Sequence, residues 1–151
     1  MDGGVIVSTE NNGTRLYRFD ESGRIISRPA AESADLSPTT VSPVATCGRV
    51  FGAHPGLRCL DVRHNLTLVW QQEEEALGDH VTLVADDERV LVITLSGELL
   101  LLDGRADKCS IISRLRLFED DVEVYSHPAL VGTRLYARGG SSVVCVDLAT
   151  D

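Results

Sequence analysis

Basic residues are scarce in this chain. Fourteen Lys and Arg stand against 23 Asp and Glu, a formal charge of −9. Phosphate backbones are bound by clustered positive charge, so nucleic acid is excluded as a ligand class. Long apolar runs are absent too. No stretch of about 18 apolar residues is present to make a membrane-spanning helix, and Met1-Asp2-Gly3-Gly4 carries no basic region leading into an apolar block, so no signal peptide is read there. Cysteine is sparse and wrongly spaced for metal or redox chemistry. Cys47, Cys59, Cys109 and Cys145 contain no C-x-x-C pair. The sequence has no Gly-rich phosphate loop, no H-E-x-x-H and no G-x-S-x-G elbow. Its histidines are scattered, and His54, Asp61 and His64 read as loop residues beside a strand end rather than as metal ligands. No segment shows the 3.6-residue apolar period of an amphipathic helix, so almost no helix is expected.

What the chain has instead is a repeat. Four short apolar runs end in aspartate: Leu16 to Asp20, Leu57 to Asp61, Leu99 to Asp103 and Val143 to Asp147. The aspartates stand 41, 42 and 44 residues apart. A second marker precedes the last three, namely Arg49-Val50-Phe51, Arg89-Val90-Leu91 and Arg134-Leu135-Tyr136, with Val5-Ile6-Val7 in that place in the first unit. Turn residues separate the two markers. Asn12-Gly13, His54-Pro55-Gly56, Ser96-Gly97 and Gly139-Gly140-Ser141 tolerate the positive φ of a tight hairpin. A further strand is expected after each of the first three aspartates, at Arg24-Ile25-Ile26, Thr67 to Trp70 and Cys109 to Ile112. Each unit therefore reads as short strands joined by turns, and the units fall at about 4–36, 37–76, 77–124 and 125–151. A period near 42 with up to four strands is the signature of propeller blades. Blades stacked face to face bury both faces of their inner strands, which explains why Leu99 to Leu102 and Val143 to Val146 lose polar alternation. The expected fold is all-β: about four blades of four antiparallel strands in one segment, half of a larger ring.

Ser42-Pro43, Gly48-Arg49-Val50-Phe51, Cys59-Leu60-Asp61 and Leu68-Val69-Trp70 follow one another in the order of a blade of the pyrroloquinoline-quinone-like propeller family, which the chain resembles over nearly its whole length. The last blade repeats the pattern with His127-Pro128-Ala129, Arg134-Leu135-Tyr136 and Cys145-Val146-Asp147. The family's blade-closing tryptophan survives only as Trp70, and near its other places stand Ser27 and Ile112. Cofactor-using members carry an adjacent cysteine pair, a tryptophan platform and calcium-binding carboxylates, none of which maps onto this chain. The resemblance therefore implies the cofactor-free branch, without pyrroloquinoline quinone or calcium, whose rings close with roughly six to eight blades and which serves in the bacterial cell envelope as protein scaffold. The contrasting expectation is a fragment of a quinone-dependent alcohol or sugar dehydrogenase. No residue is assigned a catalytic, cofactor-binding or metal-binding role.

The residues expected to define the repeat are Asp20, Asp61, Asp103 and Asp147, Arg49, Arg89 and Arg134, with Trp70. Cys59 and Cys145 stand at matching positions and read as small buried residues near the axis. In the phase of the repeat, the first blade lacks its innermost strand and the last its outermost. Either the chain is the C-terminal part of a longer propeller, with any signal peptide upstream, or a second copy or protein partner completes the ring. Ile6, Leu16 and Val144 are the expected contacts across that junction. Acidic runs at Glu73-Glu74-Glu75, Asp86-Asp87 and Glu119-Asp120-Asp121 fall in connections and read as solvated loops.

Overall fold

The structure, a computed structural model, describes residues 3–78 and 80–149 and every side chain among them except that of Glu75. The Met1-Asp2 start and the Glu75 side chain of the first acidic run thus lie outside the described residues. The fold is all-β, and the described residues form fourteen strands in four antiparallel sheets. Sheet 1 is β1 (Gly4–Thr9), β2 (Gly13–Arg18) and β3 (Ala31–Ser33). Sheet 2 is β4 (Val44–Thr46), β5 (Arg49–Ala53), β6 (Leu57–Asp61) and β7 (Thr67–Gln72). Sheet 3 is β8 (Val81–Asp86), β9 (Arg89–Thr94), β10 (Glu98–Asp103) and β11 (Ile111–Arg116). Sheet 4 is β12 (Ala129–Val131), β13 (Arg134–Gly139) and β14 (Ser142–Asp147). Every sheet is a meander, each strand pairing with its neighbour in sequence. One turn of 3-10 helix, Glu75–Leu77, interrupts the strands, and no helix among the described residues is long and apolar enough to cross a membrane.

The two-residue period of a strand sends alternate side chains to opposite faces, and here both faces of the middle sheets are apolar. In sheet 2, Val50 and Leu60 oppose each other and pack with Leu16, Ala31, Leu36 and Leu66 against sheet 1. One residue along, Phe51 opposes Cys59 and Ala53 opposes Leu57, and these pack with Val90, Val92, Leu100 and Leu102 of sheet 3. The other face of sheet 3 turns Leu91, Ile93 and Leu99 toward Leu135, Ala137, Val144 and Val146 of sheet 4. The sheets thus stack in chain order like successive blades, with one apolar layer in each gap. Phe51 and Trp70 fill the middle gap, their ring centroids 6.0 Å apart and tilted by 53°.

Two local expectations are corrected. The strand expected at Arg24-Ile25-Ile26 is only an isolated Phe19–Ile25 bridge, with Ile25 and Ile26 exposed. The pairing resumes at Ala31–Ser33. Pro29 has no N–H to donate, so the chain loops out after the Ile26 N–H bond to the Arg18 carbonyl and rejoins with the Ala30 N–H on the Leu16 carbonyl. In sheet 3, the residue opposite Leu101 is Ser113, not Ile112, because the ladder slips by one between Leu101 and Leu102. The same slip occurs between Cys59 and Leu60, and there Trp70 stands opposite Cys59. Register therefore makes Ser113 the counterpart of Trp70.

Candidate functional site

The four aspartates share one chemistry. Each places Oδ1 on the backbone N–H two residues ahead: Asp20 on Ser22 at 2.9 Å, Asp61 on Arg63 at 2.7 Å, Asp103 on Arg105 at 2.9 Å and Asp147 on Ala149 at 3.1 Å. These are Asx turns, in which the short carboxylate substitutes for a backbone acceptor and turns the chain out of its strand. Hydrogen bonds to the charged form hold a carboxyl below its ordinary range. For Asp20 the largest contribution is the Ser22 hydroxyl, followed by the Arg24 N–H. For Asp147 it is the Ala149 N–H and then the Thr133 hydroxyl. Burial works against Asp61, but the hydrogen bond from His64 and the backbone N–H groups outweigh it, so it too is lowered. A carboxyl lowered in the folded state contributes stability above its unfolded pKa of about 3.9, and that contribution is lost as pH falls through the folded value. The melting temperature is thus expected to be level from neutral pH to about 5 and to fall below about 4. Asp61→Asn keeps an acceptor oxygen but does not titrate, so melts across that range should show a shallower acid limb. An unchanged limb would disprove the assignment.

Arg49, Arg89 and Arg134 each stand directly across the ladder from the aspartate of their own sheet. Their side chains diverge. Arg49 reaches forward to the next sheet, donating to the Ala106 carbonyl and to Asp107 Oδ1. The Trp70 indole N–H donates to the same carbonyl at 3.2 Å. Burial disfavours the Arg49 charge, yet the bond to Asp107 leaves its pKa raised. Behind it the Cys59 thiol is fully buried, and that burial pushes its pKa up to about 12, with Arg49 opposing the shift. Cys59 is thus a protonated packing residue, too basic to act as a nucleophile at neutral pH. Arg134 remains on Asp147 of its own sheet, Nε to Oδ2 3.7 Å. Arg89 lines a groove between sheets 3 and 4.

Among the described residues, the two end sheets each present a face with no blade in front of it. On sheet 1 this face carries Val5, Val7 and Tyr17, with Arg15 and Glu32 forming an ion pair. On sheet 4 it carries Ala129, Val131, Tyr136, Val143 and Cys145, with Arg138 opposite Val143 and the Arg134–Asp147 pair at its end. Val131 is 66% and Val143 67% exposed. The expected junction residues Ile6, Leu16 and Val144 lie on the opposite, inward faces; Leu16 is buried in the layer between sheets 1 and 2. The correction is one residue of phase, which in a strand exchanges the faces. Cys145 is corrected likewise: it matches Cys59 in the ladder but is exposed, because nothing covers its face. All four cysteines are free thiols.

A cleft of about 440 Å³ opens where sheets 1, 2 and 3 meet, lined among others by Arg18, Cys47, Arg63, Asp86 and Asp87. Its walls are tied together, since the Thr46 hydroxyl and the Cys47 thiol donate to the carbonyls of Asp86 and Asp87. Among the described residues no three His, Cys, Asp or Glu side chains gather closely enough to hold a metal ion. Asp61 and His64 bond to each other, Nδ1 to Oδ2 2.8 Å. In the acidic runs, Glu74 pairs with Arg114 and Asp121 with Arg116. The one tryptophan is shut inside a blade junction, 8% exposed, and offers no platform for a planar cofactor. The residues present do not fit calcium-bound pyrroloquinoline quinone.

No protein-family model matches the chain, and no curated protein matches it. Solved structures do. The chain is similar to BamB from Moraxella catarrhalis at 14% identity, over 98% of this chain and 59% of that one, with a TM-score of 0.54. It is similar to a europium-containing methanol dehydrogenase at 13% identity, over 70% of this chain and 22% of that one, with a TM-score of 0.55. It is also similar to the computationally designed Ika4 protein at 8% identity, over 99% of this chain and 88% of that one, with a TM-score of 0.66. Likeness at these identities establishes the fold alone, a β-propeller. The chain spans only 59% of the BamB chain and 22% of the dehydrogenase chain.

Proposed function

We propose that this chain is a non-enzymatic propeller scaffold whose work is protein–protein contact, and that its two open faces are the docking surfaces, taken by a second copy that completes the ring. The observation that carries this reading is the repeat itself. Tyr136, Val143 and Cys145 occupy the ladder positions held in sheet 2 by Phe51, Leu57 and Cys59, and those three are fully buried against the next sheet. Sheet 4 is built to meet a blade. Exposed apolar patches rimmed by charged residues, here Val131, Tyr136 and Val143 beside Arg134 and Arg138, mark interaction surfaces. The absence of a fitting donor set and of any activated nucleophile among the residues described above supports a scaffold over a quinone-dependent dehydrogenase fragment.

Size-exclusion chromatography with light scattering is expected to show twice the chain mass at micromolar concentration. Val143→Asp, which places a charge on the sheet 4 face without touching a core layer, is expected to return it to the monomer. The same protein should melt at one temperature with and without calcium and pyrroloquinoline quinone, since a ligand that binds the folded state raises it. A wild-type monomer at all concentrations would sink the two-copy ring, and a cofactor-dependent melting shift would sink the cofactor-free reading.

A further inference from the structure

Two connections cross the same end of the blades, residues 73–78 on leaving sheet 2 and residues 117–128 between sheets 3 and 4. Both are pinned by their own apolar side chains. Leu77 is fully buried in the layer between sheets 2 and 3, and Phe118 and Val124 are buried in the layer between sheets 3 and 4. The Val124 N–H donates to the Leu95 carbonyl of the β9–β10 turn at 2.8 Å. Between the two connections, over that turn, lies a groove of about 700 Å³. Ala76, Leu95, Ser96 and Val122 line it, and Glu74, Asp121 and Glu123 form its rim. All of these belong to the two connections and to the turn inside sheet 3, so the groove is a property of the middle blades.

The charge around this groove has one sign. The turns and connections at its end of the blades, residues 10–12, 34–43, 54–56, 73–78, 95–97, 117–128 and 140–141, hold nine Asp and Glu and no Lys or Arg. The segments at the opposite end, residues 19–30, 47–48, 62–66, 87–88, 104–110, 132–133 and 148–149, hold five acidic and five basic residues. The negative excess is therefore local to the end that carries the groove. The arginines that reach this end from the strands are already engaged. Arg58 donates to the Pro55 and Asp35 carbonyls, and Arg138 to the Gly140 carbonyl. Arg114 pairs with Glu74 and Glu98, and Arg116 with Asp121. Glu73, Glu119, Asp120 and Glu123 are exposed and have no ion pair among the described residues. We propose that the groove docks a basic segment of a protein partner, with an apolar side chain of that segment seated among Ala76, Leu95 and Val122 and its flanking Lys or Arg residues on these carboxylates. The same carboxylates repel nucleic acid and anionic lipid, so the partner is a protein. A second copy of this chain offers no such charge, since its opposite end is balanced. The pinned connections hold the acidic rim in place before binding, which keeps the ordering cost of docking low.

The site deepens the scaffold reading, on whose protein–protein role it rests, but it uses neither flanking face of the ring contact. A monomer that binds the probe sinks only the ring, and a dimer that ignores it sinks only this site. The test is titration of the 151-residue chain with a short labelled peptide of alternating Arg and Leu, followed by fluorescence anisotropy. Saturable binding that weakens as salt is raised is expected. A peptide of alternating Arg and Ser keeps the charge but lacks the anchor, and is expected to bind about tenfold or more weakly. Leu95 belongs to none of the three core layers, so Leu95→Ser should leave the melting temperature unchanged while weakening binding by about tenfold. Glu123→Lys is expected to weaken it by about tenfold as well. Glu21→Lys makes the same change of net charge at the opposite end, on an exposed residue without an ion pair, and should leave binding within about twofold. Absence of binding, equal binding of the Arg-Ser peptide, binding unmoved by Leu95→Ser, or equal losses from Glu123→Lys and Glu21→Lys would overturn the proposal.

Discussion

Replacing Phe51 with alanine is expected to destabilise the chain by about 3–5 kcal/mol, the range for truncating a fully buried aromatic side chain. Phe51 sits in the middle strand of the junction between sheets 2 and 3, wholly excluded from solvent. It faces Cys59 across the ladder and the Trp70 ring at 6.0 Å. Removing it deletes apolar contact and opens a cavity whose walls are strands held by their own hydrogen bonds, so the site cannot collapse to fill it. The repeat supplies the control. Tyr136 stands at the equivalent position in sheet 4 but faces the open flank and is half-buried. In the monomeric Val143→Asp background, Tyr136→Ala is expected to cost about 1 kcal/mol or less. Urea unfolding of the two variants in that background gives the comparison. Equal losses would mean that the sheets are not stacked as blades, because only stacking distinguishes two residues of the same place in the same repeat.

That comparison also shows what the sequence could and could not convey. The four aspartates were legible because an Asx turn is local: the carboxylate, the two following residues and the strand end are all adjacent in the chain. Two-faced burial was legible in Leu99 to Leu102, because it erases polar alternation, but the same kind of apolar run at Val143 to Val146 in sheet 4 is covered on one face only and leaves Val143 exposed. The orientation of the flanks was not. In Val5-Ile6-Val7 all three residues are apolar, so nothing in the run tells which face meets sheet 2 and which meets solvent. Cys59 and Cys145 are indistinguishable by position, and differ in burial only because one has a sheet in front of it. The strand at Ala31–Ser33 was hidden behind the loop that Pro29 imposes. The groove between sheets 3 and 4 was hidden more deeply. It depends on Ser113 standing where Trp70 stands, and that correspondence exists only through a slip in the ladder at Leu101–Leu102 that repeats the slip at Cys59–Leu60. A register slip has no sequence signature when the residues on both sides of it are leucines.

The second large effect is expected from Gly56→Ala, at about 3 kcal/mol. Gly56 closes the turn between β5 and β6 with φ +68°, and its carbonyl accepts the His54 N–H at 2.9 Å. A left-handed conformation costs an L-residue roughly 1–2 kcal/mol. That alone would be a modest penalty, but a Cβ at Gly56 would also lie 2.5 Å from the Gln72 carbonyl oxygen at the end of β7. The obstacle is backbone, not the tip of a flexible side chain, so relief requires the fourth strand to shift, and Gln72 is paired with Leu57 immediately after the turn. Forced displacement of packed backbone adds roughly 1–3 kcal/mol. Gly13, at the same turn of sheet 1, meets the Ser33 carbonyl oxygen at 2.2 Å, so the close approach of the last strand to this turn recurs. In sheet 4, where the described residues include no fourth strand, the turn glycine Gly139 meets side chains instead of backbone, Val122 Cγ2 at 2.8 Å and Phe118 Cζ at 2.9 Å. Gly23 separates the two causes. Its φ is +79°, yet no atom lies within 4 Å of its Cβ position. Gly23→Ala should therefore show the conformational cost alone, about 1–2 kcal/mol. Thermal melts of both variants measure the difference, and a Gly56→Ala protein no less stable than Gly23→Ala would show that the fourth strand does not pass over this turn.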